Sequence, residues 1–230
     1  MSVEYIYGRS YGWNMFDYRY LTPEIRTYLA EEDQRVGQII DSTDALDTLI
    51  EVGCGYGRYL DFAAQRGLCY VGVDIVDWMV DLARARYQAL SSRMPALRAE
   101  LINACASELP YALSRSTLSF EPGRALVLFP FNCLGNVEAL DDAIDCLRAL
   151  GSHLAVSGFL DHDDATRVRT EYYRECGLEL TGGRSTSAGA QILGRDSFNS
   201  IAFSVAGCTV TNKPSEAPRK RDGKKAKRGA

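Results

Sequence analysis

The stretch from Leu49 to Tyr59, Leu-Ile-Glu-Val-Gly-Cys-Gly-Tyr-Gly-Arg-Tyr, constrains this chain more than any other. An apolar run (Leu46, then Leu49 to Val52) enters it and predicts a buried parallel strand. The run breaks into Gly53, Gly55 and Gly57. An amphipathic stretch follows with Leu60, Phe62, Ala63 and Ala64, and Gly67 predicts its C-cap. Strand, glycine turn and helix bring backbone N–H groups close to a ligand. A Cβ in such a turn would hinder both the turn and the approach.

Glycine spacing separates two ligand classes. A dinucleotide fingerprint reads G-x-G-x-x-G/A, its third small residue letting helix and strand pack closely. Counted from Gly53, that place is held by Arg58, which argues against a nicotinamide enzyme. The pattern here is Glu-x-Gly-x-Gly-x-Gly, beginning at Glu51. A second apolar strand, Leu68 to Val73, then ends in Asp74. An acid about 20 residues past the glycine loop is placed to accept from ribose hydroxyls. Its competing role is to cap the helix predicted from Ile75 to Tyr87, for which Asp77 is the better N-cap.

Glu51, the three glycines and Asp74 resemble motif I and the ribose-binding acid of the class I S-adenosylmethionine (SAM) methyltransferases. The resemblance runs from about Asp44 to Val205. It implies an α/β fold, a Rossmann-like doubly wound sheet of seven mostly parallel strands, with SAM as cofactor. The cofactor residues it implies are Glu51, Gly53, Gly55, Gly57, Asp74, Ile75, Cys105, Ala106 and Pro130. One departure follows the third strand, Arg98 to Ala104. Cys105-Ala106-Ser107-Glu108-Leu109-Pro110 stands where the family often has Gly-Asp-Ala-x-x-Leu-Pro. The family's Asp accepts from the adenine amino group. A thiol accepts poorly, so the contact falls to the backbone around Cys105 and Ala106, or to Ser107.

A fourth strand, Arg124 to Phe129, runs into Pro130-Phe131-Asn132-Cys133-Leu134-Gly135-Asn136. Ligands of open α/β sheets sit beyond the carboxyl ends of the strands, so this segment is expected opposite the glycine loop. Its Asn-x-x-Gly-Asn ending resembles small-molecule and amino-acid N-methyltransferases. Its Phe-Pro-Phe-Asn order departs from the Asp/Asn-Pro-Pro-Tyr/Phe of enzymes acting on nucleobases. Asn132 is expected to orient the methyl acceptor. Phe131 and Asn136 are expected to line its site, with Asn136 alternatively capping a helix from Glu138 to Leu150. His162, among Asp161, Asp163 and Asp164 after a fifth strand (His153 to Phe159), is a candidate general base or a solvated loop residue. No metal site is read there. Asp163 or Asp164 begins a helix to Cys176, and late strands fall between 178 and 205.

Residues 1–40 form an aromatic arm and a helix. Tyr5, Tyr7, Tyr11, Trp13, Phe16, Tyr18 and Tyr20 crowd into the first twenty positions. As a lid, the arm would offer Tyr11, Trp13 and Tyr18 to a cationic substrate. The plainer reading is an arm packed on the core. Thr22-Pro23-Glu24 begins the helix, with Ile25, Tyr28, Leu29, Val36 and Ile39 on its apolar face. Residues 41–210 form the SAM-binding body. Neither a signal peptide nor a membrane-spanning run is visible. The seven cysteines are scattered without a C-x-x-C pair, which points to a reducing cytoplasm.

Composition changes at Thr211. Eight basic residues against two acidic ones give 211–230 a charge of +6, so with −4 overall the preceding body carries −10. Such a tail has little to bury and is expected to be disordered. The reaction expected is methyl transfer to an amine or hydroxyl of a small molecule, amino-acid-like or a natural-product intermediate. The alternatives are an RNA or protein methyltransferase assisted by the basic tail, and a SAM-binding module without activity. Deleting Thr211 to Ala230 should leave the melting temperature and SAM affinity nearly unchanged, as differential scanning fluorimetry and calorimetry would show.

Overall fold

The structure, a computed structural model, describes residues 10–137, 142–143, 145–146, 150, 152–159 and 163–177. Its sheet is built on β1 (Thr48–Val52), in which all five residues are buried. β2 (Cys69–Asp74) and β4 (Ala125–Phe129) flank it and are buried throughout. That burial explains why their sequences are continuous apolar runs without alternation. β3 (Ala99–Asn103) and β5 (His153–Val156) lie outside them. The order is β3-β2-β1-β4-β5. All four pairings are parallel, with Val52 opposite Val73 and Glu51 opposite Leu128. The strand order therefore reverses between β1 and β4, and a crevice opens at their carboxyl ends. The expected strands at 178–205, and with them a count of seven, lie outside the described residues, as do His162 and the basic tail.

Six α-helices lying wholly within the described residues accompany the sheet: α1 (Ser10–Asn14), α2 (Pro23–Ser42), α3 (Leu60–Gln65), α4 (Asp77–Ser91), α5 (Leu109–Ser114) and α6 (Asp163–Glu175). α2 starts as its sequence demands. The Thr22 hydroxyl accepts from the Ile25 N–H, Pro23 takes the first position and Glu24 sits in the first turn. α3 closes at Gly67, whose φ of +68° is the left-handed conformation a C-cap needs. α4 departs from expectation: its N-cap is Val76, and Asp77 falls in the first turn, accepting from the Trp78 N–H at 2.6 Å. The reason is Asp74, whose Oδ1 accepts from the Val76 N–H at 2.9 Å and so draws the helix start one residue back.

The helices leave two apolar layers on the sheet and a third cluster beyond its carboxyl end. In that third cluster Tyr28 stacks on Phe159 at 5.4 Å, and Phe131 meets Tyr172 edge-on at 5.6 Å. The N-terminal segment docks there: Tyr172 donates its hydroxyl proton to the Met15 carbonyl (2.6 Å) and Asn14 Nδ2 donates to the Cys176 carbonyl (3.0 Å). Among the described residues, no helix is long and apolar enough to cross a membrane.

Gly72, at the centre of β2, is set by space. A Cβ there would lie 2.7 Å from Leu101 Cδ1 and 3.0 Å from Cys54 Sγ. Gly72→Ala should cost about 1–3 kcal/mol by overpacking, or roughly 2–12 °C in Tm for a chain of this size. Gly123→Ala, where a Cβ meets nothing within 4 Å, should leave Tm unchanged in the same calorimetric comparison.

Candidate functional site

The glycine loop turns its amides inward. Gly53 N–H (2.7 Å) and Cys54 N–H (3.1 Å) both donate to the Val73 carbonyl, and Gly57 N–H donates to the Cys54 carbonyl at 2.8 Å. Gly55 N–H donates to Asp74 Oδ2 at 2.7 Å. Four loop amides are thus satisfied within the protein and do not form the phosphate cradle a pyrophosphate requires. The three glycines have φ of +73°, +52° and +80°. Space reinforces the first two: a Cβ on Gly53 would lie 2.2 Å from Cys133 Sγ, and one on Gly55 would lie 3.2 Å from the Phe16 ring. Gly57 faces Ala83 of α4 and serves helix packing.

A cavity of about 380 Å³ opens at this loop. Glu51, Gly53, Asp74, Ile75, Cys105, Ala106 and Pro130 line it, as do Phe131 and Asn136. Two buried acids stand in these walls. Burial raises Glu51 to about 8, against the opposing pull of the Tyr70 hydroxyl and the Tyr59 N–H, both of which donate to its Oε2. Burial likewise raises Asp74 above the usual carboxylate range, opposed by N–H groups of Val76, Gly55 and Ile75. The Cys133 thiol is pushed up by burial, with Asp74 and Glu51 adding to the effect, so it stays protonated and unreactive. Acids without a phosphate cradle suit a ligand with hydroxyls and a cationic amino acid end, which is the chemistry of SAM. Adenine's expected neighbourhood is present too: Cys105 and Ala106 are walls, while the Ser107 hydroxyl is turned onto Cys105 Sγ at 3.2 Å.

Not every expected residue comes to the cavity. Asn132 is 1% exposed and the described walls pass it by. It has φ of +59°, following Phe131 at +44°. That double left-handed turn sends the Asn132 N–H to the Ser157 carbonyl (2.8 Å) and its Oδ1 to the Phe159 N–H (3.4 Å). Asn132 therefore braces the β4 loop against β5, and its placement as the group orienting the acceptor is corrected. Asn136 ends a 3-10 turn (Leu134–Asn136). Trp13 (48% exposed) leans on Trp78, and Tyr18 (67% exposed) lies under the Arg26 guanidinium. Neither is a cavity wall, and the Tyr11 side chain lies outside the described residues. The arm does reach the cavity, through Met15 and Phe16. Phe16 meets Tyr56 edge-on at 5.4 Å over the loop.

Two further residues join at the cavity's edge: Glu32, which carries no motif in the sequence, and Arg58, which the sequence marks only as a break in dinucleotide spacing. Glu32 is 1% exposed, on the buried face of α2 between Tyr28 and Val36. An acid at helical spacing within an apolar stripe was the available signal. Arg58 pairs with it and with Asp33 (2.6 Å), and donates to the Leu29 carbonyl at 3.1 Å. Burial works against the Arg58 charge, but Glu32 and Asp33 outweigh it and hold its pKa above the ordinary value.

A methyltransferase domain model matches residues 49–151. Comparison with curated protein sequences gives no match. Among solved structures, the chain resembles the magnesium protoporphyrin IX methyltransferase of Synechocystis PCC 6803 with bound S-adenosylhomocysteine (SAH). That match has a TM-score of 0.53 at 17% identity and covers 85% of this chain and 83% of the other. It also resembles the plantazolicin methyltransferase BamL in complex with a triazolic desmethylPZN analog and SAH, with a TM-score of 0.50 at 12% identity over 75% of this chain and 65% of the other. Residues 49–151 thus match a methyltransferase domain, and the chain has the fold of the class I SAM-dependent methyltransferases.

Glu51 yields a prediction with a definite sign. An acid whose folded pKa is raised contributes stability that is full below its unfolded pKa of about 4.3 and is lost as pH rises through the folded value. Denaturant titrations of wild type and Glu51→Gln should therefore diverge, wild type losing stability relative to the variant as pH rises from about 4.3 to about 8 and no further above it.

Proposed function

We propose that this enzyme methylates a nitrogen or oxygen of a small molecule held between the β4 loop and the N-terminal segment. One observation carries the reading: Met15, Phe16, Leu21, Leu29 and Phe131 wall the same cavity as Glu51 and Asp74. Apolar walls over a cofactor loop suit a ligand of small-molecule size, since such sites are concave and mostly apolar with few polar groups. The names of the two structural neighbours point the same way: one acts on a porphyrin, the other was solved with an analogue of a natural product.

SAM supplies a methyl group on a sulfonium sulfur, which departs as a neutral thioether when the acceptor takes the methyl. The work of the chain is placement. Asp74, fixed through Gly55 and Val76, would accept from the ribose hydroxyls. Glu51 would meet the amino acid end. Cys105 and Ala106, with the neighbouring walls Ile75 and Pro130, would border adenine. Asn136 takes the orienting role first given to Asn132, because it is the carboxamide at the cavity on the β4 side. Good alignment of reacting groups contributes several kcal/mol, and a misplacement of about 1 Å can cost on the order of a hundredfold. A base is needed only for an acceptor that binds protonated, and His162 remains the proposal for it.

The test begins with isotope-labelled SAM and a metabolite extract, followed by mass identification of the labelled product. Label in a small molecule supports the reading; label confined to RNA or protein overturns it. Asp74→Ala should weaken SAH binding by about 1.5–3 kcal/mol, the loss expected for hydrogen bonds to a charged group. Asn136→Ala should lower kcat/KM by about tenfold with SAH affinity nearly unchanged.

A further inference from the structure

One carboxylate touches all three elements that frame the cavity. Glu32 projects from α2, the helix that follows the N-terminal segment. Its Oε1 accepts from Arg58, the residue after the third loop glycine, and from the Tyr59 hydroxyl at 3.1 Å. Its Oε2 accepts from the Phe131 N–H at 2.7 Å. Phe131 is where the β4 loop turns left-handed, at φ +44°, and its ring is a cavity wall. An aromatic residue in that conformation persists only where its surroundings hold it. The Asn132 N–H bond to Ser157 fixes one side of the turn. The carboxylate fixes the other.

We propose that Glu32 is a positioning residue: it holds Phe131 in its strained conformation, ties that wall to the cofactor loop through Arg58, and so sets the acceptor side of the cavity. Both oxygens are committed, one to each loop, so the side chain must supply reach as well as charge. A carboxylate present only to neutralise Arg58 would not need the Phe131 amide, and Asp33 already stands at 2.6 Å from Arg58. The proposal rests on the reading that the β4 loop borders the acceptor. It adds which group outside that loop shapes it.

Two conservative variants separate reach from charge. Glu32→Asp keeps the charge but draws the carboxylate back by one methylene, roughly 1.5 Å. Glu32→Gln keeps the length and leaves one oxygen able to accept from the Phe131 N–H, while losing the ion pair. Amide hydrogen exchange is read at Phe131 by NMR on the full chain, with Leu126 and Val127 of β4 as internal references. Glu32→Asp should speed Phe131 exchange by at least about tenfold over the references, and Glu32→Gln should stay within about threefold of wild type, because exchange reports local opening. The reverse order, or equal changes in both variants, overturns the proposal, since either would mean that charge or general docking of α2 matters rather than the contact. Binding of SAH to the same samples by calorimetry keeps the two questions apart. A wild-type protein that binds no SAH would defeat the functional reading, while the exchange pattern decides Glu32 independently.

Discussion

The rest of this structure depends on a turn that satisfies its own amides. Val73, near the end of β2, lends one carbonyl to two N–H groups of the glycine loop, and Asp74 takes a third. The loop is therefore locked to the neighbouring strand before any ligand arrives. This locking sets the cofactor class. A loop whose amides are consumed internally has little to offer a phosphate, whereas its buried acids attract hydroxyls and positive charge. The parallel pairing of β1 with β2 brings those acids to one edge of the sheet, with Glu51 on the central strand and Asp74 on its neighbour.

Charge burial is the second organising cost. Glu51, Asp74 and Glu32 are all buried. Each is surrounded by donors: Tyr70 and Tyr59 around Glu51, backbone N–H groups around Asp74, and Arg58, Tyr59 and Phe131 around Glu32. Among the described residues only Glu32 of the three is in an ion pair, with Arg58, and removing one partner of a buried ion pair costs about 3–5 kcal/mol, far more than breaking an exposed one. Much of the polar structure near the cavity thus doubles as scaffold. The Tyr59 backbone serves Glu51 while its hydroxyl serves Glu32, so the two buried acids share a residue.

The N-terminal segment completes this arrangement through different residues from those its aromatic density suggested. Trp13 and Tyr18 face solvent, and Met15 and Phe16 face the cavity. No helical or strand period runs through residues 10–20, so nothing in the order of residues could assign faces. The bonds from Asn14 to Cys176 and from Tyr172 to Met15 assign them instead, across separations of 162 and 157 residues.

What the chain's order determined by itself was the framework. Continuous apolar runs demanded buried parallel strands, glycines at 53, 55 and 57 demanded a left-handed turn, and Thr22, Pro23 and Gly67 marked helix ends. These are local consequences of backbone sterics and burial, and they carried the cofactor class with them. Which side chains face the cavity was decided only by the tertiary structure. Asn132 lies in the segment that borders the cavity but turns away, because two successive left-handed residues rotate it toward Ser157 and Phe159. Asn136, four residues on, reaches the cavity. Glu32 and Arg58 look like ordinary charges in sequence and become one buried junction when helix and loop meet. A side chain's direction depends on the backbone angles beneath it and on partners far along the chain, and neither is written in its neighbours.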